Sequence, residues 1–195
     1  MHVEEIKDLC LPRKLMDLLA SLVGSEVSMN LNLINWTSTE RQWHQDSYLN
    51  PSYVNNHYIA VWFALDDIHP DSGAFEFVAG THLWPMIRQE LLFKYYPEDM
   101  CLNPAWPQLT EPTVVRAIED KLKAEGLKSE FFLPAKAGDV LLWSGTLIHR
   151  GSVPKVRGME RRAIITHYSS IVHRKDMPIS SQHKSPKDYG KYFVL

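Results

Sequence analysis

The sequence predicts an all-β fold with peripheral helices, built as a single domain over residues 1–195. Three features support this prediction. Several short stretches have the apolar or alternating pattern of strands, turns containing Pro and Gly separate them, and a helical pattern precedes them. With 195 residues, 45% of them hydrophobic and 23% charged, the chain is typical of one globular domain with a sizeable core.

The composition argues against several classes of protein. A formal net charge of −2, without a basic run, gives no electrostatic case for binding nucleic acid. No apolar stretch is long enough to cross a membrane, and the acidic opening at residues 1–5 is unlike a secretory signal. Cys10 and Cys101 are isolated and lack metal-binding spacing, so we expect reduced thiols in a cytoplasmic protein.

The first regular element is a helix over residues 12–23. Pro12 suits its first turn, and Gly24 suits its end. Leucines recur at helical spacing, namely Leu15, Leu18, Leu19 and Leu22. We expect this helix to pack outside the strands.

A strand with alternating faces follows over residues 27–36. One face is apolar and consists of Val27, Met29, Leu31 and Leu33. The other face is polar and consists of Ser28, Asn30 and Asn32. The polar face looks either to water or into an internal cavity.

Four further strands are predicted. Residues 57–65 are almost continuously apolar, which indicates a central strand covered on both faces. A short strand is expected at residues 74–78, and residues 140–143 and 161–169 have the remaining two strand patterns. The polar segment after His173 is expected to wrap the surface.

Residues 83–130 lack the strand pattern of the segments on either side. A helix at residues 87–96 is followed by an irregular passage marked by Pro97, Pro104, Pro107 and Pro112. A helix after Pro112 then ends near Gly126, and it is expected to bury Val115, Ile118 and Leu122. We expect this insertion to govern substrate specificity, and a packing excursion without substrate contact is the alternative.

His44 and Asp46 are the first candidates for a metal site. Alternate side chains of a strand point to the same face, so the two can converge on one point. His149 follows an apolar strand pattern and supplies a third ligand. Two histidines and one carboxylate leave the opposite coordination positions open, as in non-haem Fe(II) oxygenases. A hydrogen bond within a loop is the alternative for a His and an Asp two residues apart.

Arg161 adds weight to the metal interpretation. It stands twelve residues after His149 and opens a strand pattern. An arginine there could point inward and bind a dicarboxylate such as 2-oxoglutarate in a bidentate manner.

An ordered set of motifs between Asn32 and Tyr168 resembles the phytanoyl-CoA dioxygenase family of Fe(II)/2-oxoglutarate oxygenases. The set consists of His44-Gln45-Asp46, Trp62, the turn at residues 71–73 leading to residues 78–82, Gly138-Asp139-Val140, and His149 with Arg161. The resemblance implies a double-stranded β-helix, also called a jelly roll or cupin-like fold.

The resemblance also implies roles for individual residues. His44, Asp46 and His149 would be the catalytic iron ligands, and Arg161 would anchor the distal carboxylate of 2-oxoglutarate. Trp62 and Asn35 would line the cosubstrate pocket, and Gln45 would face the substrate. The implied cofactors are Fe(II), 2-oxoglutarate and O2, and the implied reaction is hydroxylation of a small-molecule metabolite with release of succinate and CO2.

The chain departs from the family pattern at two places near the ligands. The spacing from His149 makes Arg162 a rival to Arg161, although alternation along the strand favours Arg161. The family has a serine two residues after the second ligand histidine, where this chain has Gly151. Ser152 is the candidate substitute.

A third departure concerns the N-terminal part. The His-x-Asp motif begins at residue 44, much earlier than in the family, so the domain is expected to be shortened there. The chain is then either a fragment or a minimal version whose open edge is covered by a second copy in a homo-oligomer.

Three other functions remain open at this stage. A cupin-like metal enzyme that does not use 2-oxoglutarate would keep the ligands and make Arg161 dispensable. An inactive binding protein would keep only the fold. A hydrolase that uses Ser144 lacks the Gly-x-Ser-x-Gly pattern. His82 is interpreted as a structural donor and not as a fourth ligand.

Overall fold

The computed structural model describes residues 4–50, 53–54, 56–87, 106–174, 177, 179–180 and 190–193. Its helices are α1 (Glu4–Cys10), α2 (Arg13–Val23) and α3 (Trp106–Ala124). Its strands are β1 (Val27–Asn35), β2 (Tyr58–Ala64), β3 (Phe75–Phe77), β4 (Glu130–Phe131), β5 (Val140–Ser144), β6 (His149–Gly151), β7 (Ala163–Ser170), β8 (Ile179–Ser180) and β9 (Tyr192–Phe193). Short 3-10 helices cover Asp46–Leu49, Pro70–Ser72 and Thr81–Leu83.

The strands form two sheets that pack face to face. The larger sheet has the order β5-β2-β7-β1-β9-β8, and the smaller has the order β4-β3-β6. Ala60 and Trp62 of the larger sheet pack in one buried cluster with Phe75 of the smaller sheet. The predicted all-β class with peripheral helices is confirmed.

Strand β2 is central, as its apolar sequence predicts. All of its residues are buried, and β5 and β7 flank it. Its odd-numbered residues, Ile59, Val61 and Phe63, pack in the cluster that also contains Leu19 of α2. Its even-numbered residues face the smaller sheet, so both faces are covered and no polar face is needed.

Helix α2 begins and ends where the sequence predicts, but it buries a different stripe. Gly24, at φ 81°, ends the helix and donates its N–H to the Ala20 carbonyl at 2.9 Å. Met16 and Leu19 are buried, whereas Leu18 and Leu22 are 48% and 59% exposed. The prediction of a buried leucine stripe is therefore wrong for Leu18 and Leu22. Apolar residues occur on more than one face of the helix, and the position of the sheet decides which face is buried.

A β-bulge divides strand β1 into two halves. Met29 pairs with Tyr168 and Leu31 pairs with His167, which leaves Asn30 as an extra residue between them. Met29 packs towards α2, whereas Leu31 lines the cavity between the sheets. The prediction of a single apolar face is wrong, because the bulge reverses the alternation.

Helix α3 begins earlier than predicted. It includes Pro107 and Pro112, so the predicted irregular passage is wrong from residue 106 onward. Pro107 lies in the first turn, where no backbone hydrogen bond is lost, and the packing of the helix outweighs the bond lost at Pro112. The buried residues are Val114, Ile118 and Leu122, and Val115 is only half-buried. The helix predicted at residues 87–96 lies outside the described residues from position 88 onward.

The packing of α3 supports the candidate site from behind. Ile118 lies in one buried cluster with Trp43 and Ile148, which immediately precede His44 and His149. The helix therefore buttresses both segments that carry the candidate histidine ligands.

We expect Ile118→Ala to destabilise the protein by roughly 3 kcal/mol, because the fully buried side chain leaves a cavity when it is truncated. For a chain of this size that corresponds to a fall in Tm of roughly 6–12 °C, which thermal denaturation would measure. Leu127→Ala is the matched control, since Leu127 is 38% exposed just beyond the helix. Equal Tm values for the two variants would contradict the packing role of α3.

Cys10 is a free thiol with a relative exposure of 0%. Burial raises its pKa to about 12, so the thiol stays protonated and unreactive at neutral pH. Cys101 lies outside the described residues. In the described part of the chain, no helix is both long and apolar enough to cross a membrane.

Candidate metal centre

His44 and His149 are brought together by backbone pairing. The N–H of each residue donates to the carbonyl of the other at 3.1 Å, in an antiparallel bridge that extends the smaller sheet beside β6. Residues paired in this way place their side chains on the same face. Asp46 lies two residues further along, and all three side chains are buried.

The three side chains converge on one point. Nε2 of His44 lies 3.4 Å from Oδ1 of Asp46, and Nε2 of His149 lies 3.5 Å from Oδ2. One candidate ligand atom from each residue lies within 4.8 Å of the others. This is the spacing expected of atoms that share one metal ion.

Hydrogen bonds on the far side of each imidazole orient the ligands. Nδ1 of His44 lies 2.7 Å from the Gln42 carbonyl, and Nδ1 of His149 lies 3.0 Å from the Leu147 carbonyl. A carbonyl can only accept, so in each neutral ring Nδ1 carries the proton and Nε2 offers its lone pair. Metal-binding histidines in proteins are usually held in this way.

The electrostatics of the cluster also suit a metal. Burial alone would raise the pKa of the Asp46 carboxyl, but His149 and the hydrogen bond with His44 outweigh it, and the pKa falls below its usual range. Burial lowers the pKa of His149 to about 4. At neutral pH the cluster therefore contains an ionised carboxylate and a neutral His149 imidazole, and the residues present fit a divalent cation of the iron type.

Trp143 supports Asp46 through a buried hydrogen bond. Its Nε1 donates to Oδ2 at 2.8 Å, which holds the carboxylate and leaves Oδ1 directed towards His44. Contacts of this kind orient metal-binding carboxylates.

Trp143→Phe keeps the aromatic ring and removes the donor to Asp46. We expect Fe(II) affinity to fall roughly 10- to 100-fold, because the carboxylate loses its fixed orientation. An anaerobic iron titration measures this change. Trp36→Phe, at a residue that is 59% exposed, should leave the affinity unaltered. Equal affinities in the two variants would show that Trp143 only fills space.

The side chains of His44, Asp46 and His149 form part of the wall of a cavity of about 270 Å³ between the two sheets. This volume lies near the lower end of the range of ligand pockets. Aromatic and aliphatic side chains supply much of the rest of the wall, including Trp62, Phe75 and Ile165. Among the described side chains of the insertion, those of residues 111–130 contribute nothing to this wall. The expectation about substrate specificity remains a prediction for residues 88–110, whose side chains lie outside the described part.

Arg161 lines the cavity, at a relative exposure of 2%. Its Nη1 donates to the Gly73 carbonyl at 2.7 Å, while its Nε has no hydrogen-bond partner among the described residues. Burial lowers its pKa to about 10, which leaves the guanidinium charged at neutral pH. A buried cation with an N–H to spare is a site for an anion.

Trp62 stands beside Arg161. The guanidinium carbon of Arg161 lies 6.0 Å from the centre of the indole ring, and the indole N–H is buried without a partner in the described part of the chain. Arg162 points the other way and forms a two-pronged ion pair with Asp66, with N···O distances of 2.6 and 2.7 Å. Of the two arginines, only Arg161 reaches the cavity.

Three other residues singled out by the sequence lie outside the cavity lining. Ser152 binds the Ala74 carbonyl through both its N–H and its hydroxyl, at 3.2 and 2.8 Å. Asn35 has a buried side-chain nitrogen without a partner among the described residues. Gln45 donates to the Thr146 carbonyl at 2.8 Å and accepts from the Ile87 N–H at 2.9 Å. Its amide thus ties the ligand segment to its neighbours.

Hydroxyl groups of neighbouring residues lie close to Gly151, the position at which the family has a serine. A Cβ at this position would lie 3.0 Å from the Thr39 hydroxyl and 3.3 Å from the Ser38 hydroxyl. Thr39 also lines the cavity. The hydroxyl groups of Ser38 and Thr39 therefore occupy part of the space that a serine side chain at position 151 would need.

His82 and Ser144 do not belong to the cluster. His82 is exposed, and its carbonyl accepts from Thr146. The Ser144 hydroxyl pairs with the Thr146 hydroxyl at 2.9 Å, and no histidine contacts it in the part of the chain that the structure describes. This arrangement gives no support to a serine hydrolase.

Sequence reasoning missed several residues that line the cavity, among them Thr39, Tyr58 and His167. His167 stands an even number of residues after Arg161 in the same strand pattern. Alternation places such residues on one face, so this signal was available in the sequence.

The sequence model of the phytanoyl-CoA dioxygenase family matches residues 1–158. No curated protein matches the chain. Among solved structures, AviO1 from Streptomyces viridochromogenes Tue57 is 21% identical with a TM-score of 0.53, over 85% of this chain and 61% of that one.

Two further structures are similar at 16% identity and a TM-score of 0.54. EctD from S. alaskensis, solved with bound Fe, is matched over 85% of this chain and 53% of its own. SnoN, a non-heme alpha ketoglutarate dependent epimerase from nogalamycin biosynthesis, is matched over 86% and 57%. This chain spans less than two thirds of each of these proteins. The likeness confirms the jelly-roll fold.

Proposed function

This chain belongs to the phytanoyl-CoA dioxygenase family, and we propose that it is a non-haem Fe(II)- and 2-oxoglutarate-dependent dioxygenase that hydroxylates a small-molecule metabolite. One observation carries the proposal. His44, Asp46 and His149 converge in the wall of a cavity that also contains Arg161, whose Nε has no hydrogen-bond partner among the described residues. A metal site and a carboxylate site in one cavity are what such an enzyme needs.

His44, Asp46 and His149 would hold the iron from one side. When bound there with 2-oxoglutarate and O2, iron supplies the chemistry that converts a substrate C–H to C–OH while 2-oxoglutarate becomes succinate and CO2. The three residues leave the opposite positions to the small molecules. A carboxylate at Asp46 favours hydroxylation over halogenation, because a halide would need that coordination position.

Arg161 would bind the distal carboxylate of 2-oxoglutarate. Its Nε and the indole N–H of Trp62 are buried donors on residues that line the cavity, and neither has an acceptor among the described residues. The hydroxyl of Thr39 would add a third hydrogen bond and replace the serine that Gly151 removes. This set would satisfy the donors of Arg161 and Trp62 and balance the buried charge of Arg161.

The aromatic wall would keep water away from the reacting atoms. Trp62, Phe75 and Trp143 are each no more than 6% exposed and line the cavity. A dry site strengthens the interactions of Arg161 and Asp46 with their ligands and limits side reactions.

An anaerobic titration tests the proposed function. Metal-free protein receives Fe(II) and then 2-oxoglutarate, while the visible charge-transfer band of the chelate is followed. We expect the band to form, and succinate to be released when O2 is admitted. Iron binding without a band would favour a cupin-like enzyme that does not use 2-oxoglutarate. No iron binding would leave an inactive binding protein.

A further inference from the structure

The cavity has a second polar end, away from Arg161. Strand β2 presents alternate residues to the cavity, so Trp62 lies next to Arg161 and Tyr58 lies about 13 Å further along the strand. The neighbouring strand β7 follows the same direction, with Trp62 opposite Ile165 and Ala60 opposite His167. Tyr58 and His167 therefore share the end of the cavity that the proposed cosubstrate site leaves open.

At the Tyr58 end of the cavity, His167 lies close to the three candidate metal ligands. Burial lowers its pKa, and the charges of Asp46, His44 and Arg41 also act on it. It is 6% exposed and lines the cavity. At neutral pH the ring is uncharged, so it interacts with a ligand through hydrogen bonds.

The contact with Tyr58 decides which nitrogen of His167 carries the proton. The Tyr58 hydroxyl is hydrogen-bonded to Nδ1 of His167. We assign the hydroxyl as the donor, because a phenol O–H is a stronger hydrogen-bond donor than the N–H of a neutral imidazole, and a neutral ring then has its proton on Nε2. Nε2 makes no hydrogen bond within the described part of the chain. It is a donor available to a molecule in the cavity.

The bulge in β1 adds a second donor at the same end. It directs Asn30 towards the cavity, where the side-chain oxygen of Asn30 accepts from the Ser169 hydroxyl at 3.1 Å. The amide nitrogen of Asn30 donates to no described residue. Leu31 and Leu33 lie beside it and supply an apolar surface for a carbon skeleton.

We propose that His167, held by Tyr58, is a substrate-binding residue, and that the substrate is a small polar molecule that presents an acceptor oxygen at this end of the cavity. The inference rests on the proposed function, in which the Arg161 end holds 2-oxoglutarate. A hydrocarbon chain would leave the donors of His167 and Asn30 buried and unsatisfied, which lowers binding about tenfold to a hundredfold.

The test uses the complex of the full chain with Fe(II) and 2-oxoglutarate. Cyclohexanol and cyclohexanone are the oxygen-bearing probes, and methylcyclohexane is the matched hydrocarbon. The measurements are the shift of the chelate band without O2 and succinate release above the background with O2. We expect the oxygen-bearing probes to act at concentrations at least tenfold lower than the hydrocarbon.

Variants assign the preference to His167. In His167→Phe the preference is lost while the chelate band still forms, and in His167→Gln, whose amide can donate, part of it returns. Tyr58→Phe removes one hydroxyl and is expected to weaken the preference for the oxygen-bearing probes. This variant replaces His167→Phe in the test if His167→Phe does not fold. His69→Phe, at an exposed histidine, keeps the full preference.

The outcomes separate this inference from the proposed function. Equal responses to both kinds of probe, no response to any probe, or a preference that survives in His167→Phe and Tyr58→Phe would each overturn the role of His167. Absence of the chelate band from the unaltered protein would overturn the proposed function and this inference with it.

Discussion

Asp46→Ala is expected to abolish formation of the iron chelate and the release of succinate. Asp46 is the only negatively charged member of the candidate ligand set, and it lies 3.4 and 3.5 Å from the two histidine nitrogens. Its loss leaves only the two imidazoles of the set and removes the acceptor of the Trp143 N–H. The fall in Fe(II) affinity should exceed the roughly 10- to 100-fold effect of losing a supporting contact.

The titration of Asp46→Ala should be made in chloride-free buffer, because a halide could occupy the vacated position. His82→Ala is the matched control, since His82 is an exposed histidine in a nearby turn and belongs to no metal cluster of the described residues. A normal chelate band in Asp46→Ala at the same iron concentration would exclude Asp46 as a ligand.

Arg161→Ala is expected to raise the concentration of 2-oxoglutarate needed for the chelate band roughly 100-fold. A hydrogen-bonded ion pair in a buried site contributes up to about 3 kcal/mol, and each 1.4 kcal/mol changes the affinity tenfold. Fe(II) binding in the absence of 2-oxoglutarate should be unaltered, because Arg161 is not one of the candidate iron ligands. The two titrations therefore separate the metal site from the cosubstrate site.

Arg162→Ala is the control for Arg161→Ala. It removes the same charge one residue along the chain, but Arg162 is paired with Asp66 at the surface. The 2-oxoglutarate requirement of this variant should match that of the unaltered protein. If both arginine variants behaved alike, the carboxylate anchor would lie elsewhere, and an enzyme that does not use 2-oxoglutarate would become the better interpretation.

The sequence alone predicted much of the framework. A continuous apolar run identified β2, the two-residue repeat of strands identified β7, and Gly24 marked the end of α2. The same repeat predicted that His44 and Asp46 share a face and that Arg161, not Arg162, points inward. These features depend on local periodicity and backbone preference, which a sequence records directly.

Other features were decided only by the tertiary structure. The bulge at Asn30 turns Leu31 and Leu33 into the cavity, and it arises from pairing with a strand more than a hundred residues away. The amide of Gln45 bonds to the backbone of Thr146 and Ile87, and Thr39 approaches Gly151. Each contact joins segments that are distant in the sequence, so its geometry follows from how the sheets pack and not from any local pattern.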